Sequence, residues 1–280
     1  MQPCFVFVCQ GGSIEPKAAL LAASLSTFVQ CDAEIIAAIP SYPEVLPPTT
    51  EAIEFLHKLG VRVEEIVNEV DPTYPIANKI ACFNIPTDAD KFVFLDSDIL
   101  CLQEIHEDQD FGGCEFAARL TDFSDLRPVD WCHVYEHCDK EPPEFDHRSI
   151  VSNEHMPLCF NSGVVITTQP GRLHHTWTAF ARKLNHRERF PFTRPFLDQI
   201  SLPFAVRELG LTIHLLDQYQ HCPSAIFPID LHHPAVFAHY HGTIHLLGDK
   251  LLANIAQRLI REHAGLDRLL QPGPFLSLLC

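Results

Sequence analysis

The chain has 280 residues, enough for one large α/β domain or two small ones with a sizeable core. With 20 Lys+Arg against 36 Asp+Glu the formal net charge is -16, which argues against sequence-blind binding to nucleic-acid phosphates or anionic membranes. A phosphate-bearing ligand must therefore be held locally, through a metal. The 17 histidines gain charge near or just below neutral pH. Cysteines scattered through apolar runs, at Cys4, Cys9, Cys82 and Cys159, read as reduced, buried thiols rather than a disulfide framework.

The opening stretch MQPCFVFVCQGG has an apolar run without a basic flank or a long hydrophobic core, and no segment approaches the roughly 20 apolar residues of a membrane span. A soluble, cytoplasmic protein is expected. Strand-like and helix-like segments then alternate: CFVFVC as a buried strand, EPKAALLAASLSTFV as an amphipathic helix, AEIIAAI as a strand. TEAIEFLHKLG follows as a helix closed by Gly60, then VRVEEIV as a strand, YPIANKIACFNI as a helix and KFVFLD as a strand. This order predicts βαβ units, a mostly parallel sheet flanked by helices, and ligands at the carboxyl ends of the strands.

From Thr121 to Pro157 the sequence is rich in Asp, Glu, His and Pro with weak periodicity, an irregular excursion suited to a lid or an acceptor site. Within it Cys132 and Cys138 flank His133 and His137, but the spacing fits no common structural zinc pattern and favours a surface loop. Trp131 and Tyr135 either stack on an acceptor or anchor the segment. Regularity returns with the strand CFNSGVVITT, the helices HHTWTAFARKL and FLDQISLPFAVREL, the strand TIHLL, the segment PAVFAHYHG and a terminal helix DKLLANIAQRLIREH. His174 and His175 read as surface residues. The closing QPGPFLSLLC is expected to pack back on the domain. A single mixed α/β domain over 1–280, with the excursion at about 121–157 and a helical portion at about 249–280, is the simplest organisation; there is no internal repeat or low-complexity tract.

The chemistry gathers around FLDSDI. Asp96 and Asp98 end a strand that reads as buried, where unpaired charge is costly, and their i, i+2 spacing suits one hard divalent cation, Mn2+ or Mg2+, whose other ligands are a diphosphate and water. A turn with capping carboxylates explains the pair alone equally well. Further features point the same way. Asn161, Ser162 and Gly163 put polar groups and an unhindered backbone before an apolar strand. Asp198 and Gln199 open an apolar-periodic helix, where the helix dipole also favours an acid. His239 is a nitrogen ligand followed by Gly242, where backbone can approach phosphate. Asn78 and Lys79 either face the nucleotide or line an exposed helix face. Glu15 either serves the base or ribose or simply occupies a first helical turn. Gly11-Gly12 is a strand-to-helix turn without a dinucleotide fingerprint.

Taken in order, FLDSDI, FNSGVVI, LDQ and HYHG resemble glycosyltransferase family 8, which has the GT-A fold and includes glycogenin and bacterial lipooligosaccharide galactosyltransferases. LLDQYQHCP also looks like that family's L-P-x-x-Y-N segment, and the resemblance runs from about Cys4 to His245. It implies a UDP-sugar donor and transfer of a hexose to an acceptor not identified by sequence, with retention at the anomeric carbon. Asp96, Asp98 and His239 would be the metal ligands, with Ser97 beside the nucleotide and Gly242 against the diphosphate. Asn161, Ser162, Gly163, Asp198 and Gln199 would flank the sugar, the last two as catalytic candidates. Two departures mark a divergent member. The lysine of the family's H-x-x-G-x-x-K is here His245, leaving His245 or Lys250 as substitutes, and LDQI lacks the second acid of D-Q-D. A nucleotidyltransferase acting on a sugar phosphate, and a nucleotide-sugar-binding protein without turnover, are the alternatives.

Overall fold

A computed structural model describes residues 2–107, 113–123, 126–186, 194–271 and 274–278. The first half follows the expected alternation: β1 (Pro3–Val8), α1 (Glu15–Phe28), β2 (Glu34–Pro40), α2 (Thr50–Lys58), β3 (Arg62–Ile66), a 3-10 turn at Pro75–Ala77, α3 (Asn78–Cys82) and β4 (Lys91–Leu95). Next come β5 (Ile99–Cys101), β6 (Phe116–Leu120), α4 (Pro128–His137), the two-residue strands β7 (His147–Arg148) and β8 (His155–Met156), β9 (Phe160–Thr167), α5 (Pro170–Leu184) and α6 (Leu197–Leu209). The chain ends with β10 (Ile213–Leu215), β11 (His221–Pro223), β12 (Phe237–His239), α7 (Thr243–Gly248), α8 (Lys250–Glu262) and α9 (Leu266–Leu270).

Seven strands form the main sheet in the order β10-β6-β9-β4-β1-β2-β3, with β9 antiparallel to both neighbours and every other pair parallel. Successive side chains of a strand point to opposite faces. Cys4, Val6, Phe92 and Phe94 therefore pack with Phe83, Trp177 and Phe204 on one face. Phe5, Phe7, Val93 and Leu95 pack with Leu21, Leu25 and Leu56 on the other. Both faces being covered is why these strands read as continuous apolar runs rather than alternating ones. Helix α2 starts at Thr49, whose hydroxyl accepts the Ala52 N–H, and stops at Gly60, which takes the left-handed φ of 75°.

Three expectations change. The α1 segment reads as amphipathic, but it is buried almost throughout: Leu21, Ala22 and Leu25 face the sheet, while Ala19, Leu20 and Ala23 face Leu252, Ala256 and Leu259 of α8. Its alanines allow that close approach from two sides. Among the described residues, the 121–157 excursion holds a ten-residue helix, α4. Trp131 and Tyr135 are 1% and 2% exposed, and Tyr135 packs its ring 4.3 Å from that of Phe204, so they anchor the segment and are not available to an acceptor. Cys132 is exposed on that helix and Cys138 is buried at its C-cap, which corrects the surface-loop reading of this pair. His174 is buried in α5 rather than on the surface, and burial lowers its imidazole below the ordinary range. Phe275 and Leu278 pack back onto the C-terminal helical layer, as expected. Among the described residues no helix is long and apolar enough to cross a membrane.

Candidate active site

The D-S-D turn is fixed by backbone from three directions. Asp96 N–H donates to Gly163 O (2.8 Å) in β9, the Ser97 hydroxyl donates to Val8 O (2.6 Å) in β1, and Ile99 N–H closes the turn onto Asp96 O (3.1 Å). Strand β5 then pairs antiparallel with β12, setting Ile99 opposite His239, and Tyr240 N–H donates to Asp98 O (3.1 Å). That register carries His239 from 141 residues away to Asp98, with Nε2 at 3.1 Å from Oδ1. One ligand atom each from Asp96, Asp98 and His239 lies within 4.8 Å of the others. The imidazole fits there because residue 163 is glycine: a Cβ on Gly163 would lie 2.5 Å from His239 Cε1 and Nδ1. His241 stacks on His239 at 3.8 Å and His221 lies beneath at 5.6 Å. Burial, then the neighbouring His239 and Arg119, keep His221 neutral by holding it well below the ordinary imidazole range.

A buried ion network stands beside this cluster. Lys79, on α3, places its ammonium 3.1 Å from Asp96, 2.9 Å from Asp198 Oδ2 and 3.0 Å from Ser162 Oγ. Asp198 in turn accepts hydrogen bonds from Ser162 (2.5 Å) and from Tyr74 (3.2 Å). Burial pushes the Lys79 ammonium down, but the Asp198 and Asp96 carboxylates outweigh it and hold it above the ordinary lysine range. Burial likewise raises Asp198, and Lys79, Ser162 and Tyr74 reverse this to leave it below the usual carboxylate range. Asp98 follows the same logic: burial raises it, and His239 together with Lys17, whose Nζ is 3.2 Å from Oδ2, pull it far down. Asp198 and Asp98 therefore stay ionised at neutral pH, whereas burial, opposed by Lys79 and His239, leaves Asp96 above the usual carboxylate range.

The acids border a cleft of about 380 Å³ between the ends of β1 and β4 and the start of α6, the carboxyl-end position anticipated from sequence. A second cavity of about 220 Å³ adjoins it through Asn161, Phe196, Gln199 and His241, with Asp122 and Phe123 on its far wall. Gln199 lines both. Its side chain accepts from Thr121 Oγ1 (3.3 Å), and its backbone carbonyl takes the Cys159 thiol (3.5 Å). That carbonyl is open because Pro203, four residues on within α6, has no N–H to offer it.

Other predicted residues fall into distinct places. Asn161 is committed to the frame, donating to Asp122 (3.2 Å) and accepting from Gly163 N–H (2.9 Å). Ser97 lines the cleft, yet its hydroxyl is spent on Val8. Glu15 gives both carboxylate oxygens to Thr49, at 2.6 Å to the backbone N–H and 2.9 Å to the hydroxyl, so it ties down the loop before α2 instead of presenting a carboxylate to a base or ribose. Asn78 is buried, not on an exposed helix face, and links Tyr42 (2.8 Å) to Gln10 (3.1 Å) at the cleft edge. Gly242 has an extended backbone, so nothing in its own conformation demands glycine. His245 and Lys250 are exposed on α7 and at the start of α8. Sequence reading overlooked Tyr74, His241 and the Lys17–Asp98 contact. Only Lys17 left a trace, as the one cation of α1.

A sheet of this order with a cleft of buried acids at its carboxyl edge defines a GT-A glycosyltransferase fold. Residues 5–210 match the Rhodobacterales glycosyltransferase domain, and the chain belongs to that family. Among solved structures it is similar to mouse xyloside xylosyltransferase 1 in apo form, at 13% identity and TM-score 0.50 over 87% of this chain and 99% of that one. It is also similar to the galactosyltransferase LgtC, solved with donor and acceptor sugar analogues, at 13% identity and TM-score 0.50 over 94% and 95% of the two chains. The bifunctional glycosyltransferase WbbM in apo form gives 12% identity and TM-score 0.54 over 96% of this chain and 51% of WbbM. No curated protein matches the sequence. The family makes the chain an enzyme of glycosyl transfer, in place of the nucleotidyl transfer held as an alternative.

Proposed function

We propose that the enzyme transfers a hexose from a UDP-sugar to an acceptor with retention at the anomeric carbon, and that Asp96, Asp98 and His239 hold the Mn2+ or Mg2+ ion that binds the donor. The observation that carries this reading is the convergence of two carboxylates and an imidazole at the carboxyl edge of the sheet. The donor set suits a divalent cation. One imidazole nitrogen is on Asp98, the other is buried without a partner among the described residues, and the oxygen atoms are those hard cations prefer. When bound, the ion neutralises charge that develops on the departing diphosphate.

The chain's own residues then act as follows. Gln199, at the junction of the two cavities, faces the sugar from the α6 side, with its carbonyl oxygen steadied by Thr121. Asp198, next to it in sequence, is held by Lys79, Ser162 and Tyr74, and its negative charge favours positive charge developing on the ring. The larger cleft suits the donor, and the adjoining cavity, walled by Phe123 and Phe196 with Asp122 behind them, suits a hydroxyl-bearing acceptor. The proton of the attacking hydroxyl passes to an oxygen of the leaving diphosphate on the same face of the sugar, so no separate base is required.

Calorimetric titration of UDP with Mn2+, with EDTA, and into Asp98→Ala tests the reading. Binding that needs both the metal and Asp98 supports it. Binding indifferent to both, or no binding of UDP, would remove its basis.

A further inference from the structure

Three carboxylates, Asp96, Asp98 and Asp198, share two ammonium groups, Lys17 and Lys79. The two lysines are not equivalent. An ammonium has three N–H donors. Those of Lys79 are matched by Asp96, Asp198 and Ser162, and its side chain is 9% exposed. Lys17 has Asp98 as its one hydrogen-bond partner among the described residues, and its side chain keeps 16% of its surface exposed. Two of its donors are unspent. Lys17 does not itself line the cleft, but it touches Asp98, which does, and Ile14, immediately before α1, lines the cleft as well. His245 and Lys250, the substitutes that the sequence offered for the missing lysine, are exposed, and neither is paired with Asp98.

We infer that Lys17 supplies the protein's own positive charge to the donor diphosphate, beside the metal ion. The role rests on the reading of a metal-held nucleotide sugar. Asp98 can serve the metal and Lys17 together, because a carboxylate offers about four lone-pair sites. Lys17 keeps one N–H on Asp98 and turns the others to the phosphate oxygens of the same donor. The cationic contact thus comes from the first turn of α1 rather than from the segment after Gly242.

The test is calorimetry on wild type, Lys17→Gln and Lys17→Arg, titrating Mn2+ alone and then UDP at saturating Mn2+. Lys17→Gln is expected to weaken UDP binding by about tenfold to a hundredfold, the range of a charge-assisted hydrogen bond, with no loss of Mn2+ affinity, because removing a cation beside Asp98 does not disfavour a second one there. Lys17→Arg is expected to retain most of the UDP affinity. Equal UDP binding by Lys17→Gln and wild type would overturn the inference and leave the nucleotide-sugar reading intact. A parallel loss of Mn2+ and UDP affinity would also overturn it, because Lys17 would then only orient Asp98. If wild type with Mn2+ binds no UDP, the nucleotide-sugar reading itself fails, and this inference with it.

Discussion

The two ends of the central sheet both carry cavities lined by charged residues, and they differ in what the charges experience. At the amino ends of β1 to β4, Gln2, Glu34, Arg62, Thr87 and Asp88 line a cavity of about 640 Å³, larger than the cleft at the opposite edge. Its ion pair, Arg62 to Glu34 at 3.0 Å, joins side chains that are 36% and 32% exposed. At the carboxyl end, Lys79 and Asp198 meet at 2.9 Å with 9% and 3% exposure. Water screens the first pair, whereas the second has given up hydration on both sides and is held by further hydrogen bonds from Ser162 and Tyr74. Cavity size and buried, mutually dependent charge thus point to opposite ends of the sheet, and the proposed site follows the charge.

Substitutions at the two ends sharpen the contrast. The largest effect is expected from Lys79→Met, which strands the buried Asp198 charge and should cost about 3–5 kcal/mol in denaturant unfolding. The pH dependence has a defined sign. Asp198 is held below its ordinary range, so its stabilisation is fully present above about pH 4 and is lost as pH falls through its folded value. Lys79 is held above its range, so its contribution is present below about pH 10 and lost as pH rises through its folded value. Unfolding curves from pH 3 to 11 should show that plateau in wild type and lose it in Lys79→Met.

Next, Gln199→Ala removes a polar group from the sugar side while sparing the ion network. Turnover should fall about a hundredfold to a thousandfold, with the midpoint of unfolding little changed. Unaltered turnover would exclude Gln199 from the reaction. Gly163→Ala puts a methyl where the His239 ring stands, 2.5 Å from two of its atoms, and should weaken Mn2+ binding by about tenfold to a hundredfold. The smallest effect belongs to the other end of the sheet: Arg62→Met should cost no more than about 1 kcal/mol and leave turnover as it is. A large loss there would undo the distinction between the two ends.

Much of the frame was legible from periodicity. β1 and β4 read as buried runs because both faces are covered, and α2 announced its stop with Gly60. The short strands β5 and β6 and helix α4 were not legible. β5 has three residues, too few for a period, and the apolar residues of α4 are interleaved with Asp130, His133 and Glu136. At the site, Asp96, Asp98 and His239 were found by type and order, and the structure brings them together. Lys79 was left with two readings and is the most deeply committed cation of the site. Glu15 was left with two readings because a first-turn acid looks the same whether it faces a ligand or a neighbouring loop; here it faces Thr49.

Local residue patterns alone thus settled the α/β class of fold and marked the acids at the carboxyl edge of its sheet, because a strand's periodicity and a carboxylate's need for a partner are both properties of short segments. The choice among those acids' partners was made in three dimensions. Which lysine neutralises Asp96 and which Asp98, why residue 163 must be small, and how His239 crosses to Asp98 all depend on the register of β12 against β5 and on helices that are remote in sequence. A hydrogen bond needs its donor and acceptor about 3 Å apart and Coulomb energy rises as charges approach, so both are decided only once packing has set those distances.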